Sequence, residues 1–224
     1  MFCRVPYTDI GGKHRPYLEV VFSDETRGKH SNKTFAMVDS GADHTVIPYS
    51  LGVSIGLAAP TEAERLANVS GVGGNLSYIE RKCHLYLANR ATSKVYVFKE
   101  TVWWIHPDAA TLAQQQQLIQ NFGNFANLQT QTIAATGLHT HFENEKQRVL
   151  GELAVITNRL ETSVLLGRPF FDNFEFIQFF HRDRSREDKA YFNYKVSAKK
   201  PVEIIPLGQT ALLGNVQTAM PQLG

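Results

Sequence analysis

Cysteine is nearly absent from this chain. The two present, Cys3 and Cys83, stand outside any metal-type or redox-type spacing, so they give no disulfide framework and fit a reducing compartment. Long apolar runs are missing too. The N-terminal "MFCRVPYTDIGGKHRPYLEVVF" lacks the uninterrupted hydrophobic stretch of a signal peptide, and nowhere is there a run of about 18 apolar residues. A cytoplasmic, unanchored protein without a membrane partner is expected. Charge of one sign is also lacking: 23 Lys and Arg face 21 Asp and Glu, a formal net charge of +2. That excess is too small to argue for a nucleic-acid partner. The bases are scattered except in "HRDRSRED" at 181–188, where acids answer them, as expected of a solvated hairpin turn.

What remains is ordinary globular material: 224 residues, 43% hydrophobic and 20% charged, enough for one elaborated domain or two small ones. From 17 to 105 the segments "YLEVVF", "TFAMV", "TVIP", "SYIERKCHLYL" and "VYVFKETVWWI" are rich in branched and aromatic residues and predict strands. Between two of them "SGVGGN" at 70–75 reads as a mobile hairpin tip, and "SDETRGKHSNK" at 23–33 as a polar connection. Residues 106–148 are Gln- and Ala-rich and helix-permissive up to Gly123, which suggests a helical insertion on a β domain. "GELAVITN" and "SVLLGRPFF" restore a strand pattern. "FEFIQFF" and "KAYFNYKV" flank the charged segment as a second hairpin. The tail from Lys199, with its prolines and glycines, predicts an extended or partly disordered terminus. The expected organisation is therefore a domain over 1–198, interrupted at about 106–148, and a tail over 199–224.

One stretch stands apart: "FAMVDSGADHTVIPYSLG" at 35–52. The residues before Asp39 favour a buried strand, yet an acid almost never goes fully inside unless it is paired. The plain reading is a strand ending in an Asx-type turn; the alternative is an acid delivered to a functional site.

"VDSGADHTVIP" resembles the active-site segment of the retroviral-type aspartic proteases, the retropepsins. Three further elements fall in that family's order. "VSGVGGNLSYI" resembles its flap, with Val72 between the glycines Gly71, Gly73 and Gly74; "SVLLGRPFFDNF" resembles its second signature, apolar pair then Gly-Arg before a short helix; "HRPYLEVVF" resembles the Arg-Pro before its first long strand. A lone Asp-Ser-Gly arises often by chance, whereas four elements in order are specific. The insertion and the C-terminal region are unmatched.

The resemblance implies an all-β, single-lobed retropepsin-like fold with a helical insertion, acting as a homodimeric aspartic endopeptidase without metal or cofactor. Two adjacent carboxyl groups sharing one proton activate water and protonate the substrate, because like charges about 3 Å apart cannot both ionise. A single Asp-Ser-Gly then implies Asp39 and its symmetry mate on a twofold axis. By the same carry-over Ser40 braces the loops across that axis, Gly41 allows close backbone approach, and Ala42 lines the cleft. Asp43 pairs with Arg168, a directional bidentate arrangement, and Arg15 of the partner subunit approaches Asp43. His44 stands where relatives have another acid or an apolar residue, which implies an altered subsite. The flap residues Gly71 to Gly74 hold an extended peptide or protein substrate by main-chain bonds. Ala42, Val46, Ile47, Val72 and Leu165 are candidate apolar pocket walls, forecasting hydrophobic residues near the scissile bond, with plain core packing the equal alternative for Val46, Ile47 and Leu165.

Other signals weigh less. His139, His141, Glu143 and Glu145 alternate in "HTHFENE"; on a strand they share a face that suits zinc, but the surroundings are polar and a solvated loop is expected. Trp103 and Trp104 read as sheet packing. The rival function is a noncatalytic dimerisation or peptide-binding module, with insertion and tail covering the cleft.

Overall fold

A computed structural model describes residues 3–10, 12–71, 74–89, 93–132, 139–161, 163–180, 190–199 and 202–207. Its centre is a ring of strands: β4 (Tyr17–Asp24), β5 (Thr34–Val38), β6 (Thr45–Ile47), β8 (Gly74–Asn89), β9 (Lys94–Ile105) and β10 (Val164–Leu166). The order β9-β6-β10-β5-β4-β8 closes because β8 also pairs with β9. β5–β10 and β6–β9 are parallel and the other four pairs antiparallel. β7 (Ala67–Gly71) extends the sheet beyond β8, and β13 (Glu203–Pro206) beyond β9.

Alternation along each strand fills the barrel. Leu18, Val20 and Phe22 from β4, Ala36 and Val38 from β5, Ile47 from β6, Phe98, Val102 and Trp104 from β9, and Val164 and Leu166 from β10 form one buried cluster. A second, three-stranded antiparallel sheet, β1 (Cys3–Pro6), β12 (Tyr191–Val196) and β11 (Phe174–Phe180), packs on that core through Phe174, Phe192 and Tyr194. β2 (Thr8–Ile10) and β3 (Lys13–Arg15) make a separate hairpin. Two short helices, α1 (Tyr49–Ser54) and α4 (Arg168–Phe171), follow β6 and β10 directly.

The segment between β9 and β10 holds two long helices, α2 (Ala109–Thr132) and α3 (His139–Leu160). Asp108 caps α2, its Oδ1 accepting the Thr111 N–H at 2.7 Å; that bond holds the carboxyl below its ordinary range, as at an N-cap. Along α3, Val149, Leu153, Ile156 and Leu160 recur at helical spacing and pack with Leu118 and Phe122 of α2, a single apolar stripe against the barrel. Beside that stripe Arg148 pairs with Glu145 and Glu152, neighbours at helical separation.

Several expectations are corrected. The all-β, retropepsin-like single lobe with a helical insertion does not hold: the described residues form a mixed sheet with a closed six-stranded barrel and four helices. "GELAVITN" is no strand but the continuation of α3, because its apolar residues follow the 3.6-residue stripe begun at Val149. The helix beginning in the Gln-rich segment does not stop near Gly123 but runs to Thr132. "HTHFENE" is neither loop nor strand; it opens α3, where alternate positions do not share a face. The segment 181–188, where a hairpin turn is expected, and the chain from 208 lie outside the described residues. No described helix is long and apolar enough to cross a membrane.

Candidate functional site

β5 brings Asp39 to the site by alternation. Ala36 and Val38 point into the core, while Phe35 and Met37 lie outward, so the next outward position is 39. The acid is thus not thrust into the barrel; it is half-buried at the mouth. Its N–H donates to Leu166 O at 3.0 Å, carrying the parallel β5–β10 ladder one residue past the strand. Its side chain closes the turn: Asp39 Oδ1 accepts the Gly41 N–H at 2.9 Å, and Asp39 O accepts the Ala42 N–H at 3.2 Å. The Asx-type turn therefore exists, and it aims one carboxylate oxygen along the loop. Ser40 and Gly41 are exposed at the apex.

The loop is braced from β10 and α4. The Arg168 N–H donates to Ala42 O at 2.9 Å, and Arg168 Nη2 meets Asp43 Oδ1 at 2.7 Å. Both side chains are 67% exposed, so this ion pair contributes at most about 1 kcal/mol to the isolated chain. Backbone contact does more. A Cβ on Gly167 falls 2.3 Å from His44 O and 2.8 Å from Ala42 O, a separation reached only without a side chain. Gly167→Ala is expected to cost about 1–3 kcal/mol by pushing the Asp39 loop off β10, read as a lowered urea midpoint, whereas Arg168→Ala shifts that midpoint little.

Outward residues on four neighbouring strands line up beside Asp39. Register places Met37 against Leu165, Leu165 against Val46, and Val46 against Trp103, so these half-buried side chains form one cross-strand row. Val46 and Leu165 thus stand as surface walls. Ile47 does not: it is fully buried, since it faces inward between them. Trp104 likewise belongs to the core, while Trp103, its neighbour on the opposite face, stacks on His44 at 3.6 Å between centroids and on Tyr78 at 4.0 Å. Trp103 Nε1–H donates to Glu80 Oε1 at 3.2 Å.

The glycine hairpin sits on this flank. Gly71 pairs with Gly74 at the end of the β7–β8 ladder; Val72 and Gly73 lie outside the described residues. Behind it, Leu76 and Tyr78 of β8 and Val46 of β6 pack against the cluster that Ile105 of β9 forms with residues of α2 and α3. Arg15 rests on its own chain's Met37, with Nη1 3.5 Å from Sδ. Among the described residues no three His, Cys, Asp or Glu side chains gather to hold a metal ion.

Arg81, outside the expected set, ties the connection before β7 to β8. It bonds Glu64 at 2.9 and 3.0 Å and Ala58 O at 2.8 Å. The guanidinium holds the Glu64 carboxyl down from 4.5 to about 2. A depressed carboxylate contributes above its unfolded value and is lost as pH falls through its folded one. Amide exchange over 58–66, corrected for intrinsic rates, is expected to rise between pH 4.5 and about 2; Arg81→Met should show that raised exchange already at neutral pH.

Sequence reasoning passed over Met37 and Tyr78, read Trp103 only as sheet packing, and met Gly167 only as part of the Gly-Arg signature. The double Trp in "TVWWI" carried the missed signal, since alternation puts one ring inside and the other out. Comparison of the chain with protein-family models, curated proteins and solved structures finds no match.

Proposed function

We propose that the chain is an aspartic endopeptidase that works as a homodimer, Asp39 of two copies forming the carboxyl pair. The observation that carries this is the setting of Asp39. It is an outward, half-buried acid on a tight turn held by Leu166, Gly41 and Ala42 through backbone bonds. The other acid of the loop, Asp43, is engaged by Arg168, which leaves Asp39 for chemistry. One carboxylate cannot act as acid and base together, and a second copy across a twofold axis supplies the other. Ser40, Gly41, Ala42, Asp43 and Arg168 support the turn, and the glycine hairpin from Gly71 to Gly74 faces the substrate. An extended peptide with hydrophobic residues near the scissile bond suits the row Met37, Leu165, Val46 and Trp103. No metal or cofactor enters this scheme.

A noncatalytic peptide-binding or dimerisation module is the second reading. The shared cluster of Ile105, α2 and α3 against which Val46, Leu76 and Tyr78 pack favours it, because it places those helices beside the surface a substrate would use. Cleavage of a mixed peptide library at about pH 5 to 6, beside Asp39→Asn, separates the two.

A further inference from the structure

The Asp39 loop has a firm brace on the β10 side, Gly167 and Arg168, and its other end leads to His44. His44 is not free to follow substrate. Its ring lies 3.6 Å from that of Trp103 with 17° between planes, and Trp103 lies 4.0 Å from Tyr78 with 20° between planes. Both pairs lie face to face, closer than the roughly 4.5–7 Å of offset or edge-on aromatic pairs, so neither ring can shift without moving its neighbour. The indole N–H is committed as well, to Glu80 directly across β8. A half-buried tryptophan with two stacked rings and its N–H engaged has one orientation. Tyr78, the far end of the column, packs with Leu76 and Val46 on the cluster that joins Ile105 of β9 to the apolar residues of α2 and α3.

We propose that Trp103 is a positioning residue: through His44 it holds the far end of the Asp39 loop against β9 and β8, and the α2–α3 pair clamps the Tyr78 end of the same column. The proposal rests on the reading of Asp39 as the catalytic acid. It gives the long helical segment a role, since the helices back the column that sets the loop. His44 then acts through ring stacking rather than by contact with substrate. A flat ring at 44 should serve, and a methyl should not.

The test compares His44→Ala, His44→Phe and Trp103→Ala with the wild-type full chain by amide hydrogen exchange at residues 39–44 and 168, where the loop's backbone bonds are made. His44→Ala and Trp103→Ala are expected to raise exchange there about tenfold or more, with His44→Phe close to wild type. Equal exchange in all four proteins overturns the proposal, as does loss in His44→Phe equal to that in His44→Ala. Should Trp103→Ala unfold, the His44 pair alone decides. On peptide substrate the alanine variants should lose about tenfold or more in kcat with KM held and His44→Phe restored. A change confined to KM, with loop exchange unchanged, means His44 touches substrate and overturns the positioning role. A wild-type dimer that cleaves nothing refutes the endopeptidase reading instead, and the exchange comparison still decides whether the column holds the loop.

Discussion

Asp39→Asn is expected to remove peptide cleavage and leave the fold standing. The amide keeps the shape of the side chain, and its oxygen can still accept the Gly41 N–H now bound at 2.9 Å. Asp39 is half-buried at the barrel mouth rather than in the core, so stability should move by no more than about 0.5 kcal/mol. Chemistry is another matter. Asn neither takes a proton from water nor gives one to a leaving amine, and loss of a general acid or base costs at least about 100-fold. In a homodimer both members of the pair disappear together. The assay is the mixed peptide library at about pH 5 to 6, where one shared proton is retained, with a pepstatin-type inhibitor on wild type as a parallel control. A variant as active as wild type would take the catalytic role from Asp39. A verified wild-type dimer that cleaves nothing would shift the reading to a binding module.

The largest stability effect is expected at the other tryptophan. Trp104 is 1% exposed, stacks on Tyr49 at 6.0 Å and donates its Nε1–H to Tyr49 O at 3.1 Å. Gly52 of α1 lies so close that an added Cβ would sit 2.1 Å from the indole nitrogen. Trp104→Ala opens a cavity between barrel and α1 and removes the indole donor from Tyr49 O. The expected loss is about 3–5 kcal/mol from the cavity and lost burial, read from the urea midpoint at constant slope. Trp103→Ala, one residue away, removes a half-buried ring on the opposite face and should cost far less. That contrast checks the alternation of β9 directly. A loss of equal size at both positions would mean that the strand does not divide core from site in this way.

Much of the strand content could be read along the chain. "YLEVVF", "TFAMV" and "VYVFKETVWWI" became β4, β5 and β9 because branched and aromatic residues predominate there. The pairing of "FEFIQFF" with "KAYFNYKV" as β11 and β12 followed the same logic. Cys3–Pro6 escaped notice: four residues with a terminal proline carry no period, and only the partner β12 makes them a strand. "GELAVITN" misled for a different reason. Eight residues are too few to tell a buried strand from a turn of amphipathic helix, and the stripe that decides the matter begins outside them, at Val149.

The turn chemistry of Asp39-Ser-Gly was local and legible, whereas the pairing of Asp43 with Arg168, far apart in the chain, was implied only by the resemblance and is seen in the structure. Which side of the strand the acid would leave from depended on what lay behind β5. Closure of the barrel by the β8–β9 pairing buried Ala36 and Val38 and so turned Met37 and the following acid outward.

The sequence by itself determined the acid on a tight turn, the glycine hairpin and the helical character of the segment after Pro107, because each rests on contacts between residues close in the chain. Only the tertiary structure decided the closed mixed barrel, the row Met37–Leu165–Val46–Trp103, and the column joining His44 to Tyr78. Those depend on register between strands that are distant in sequence, and a shift of one residue would have sent every one of these side chains to the opposite face.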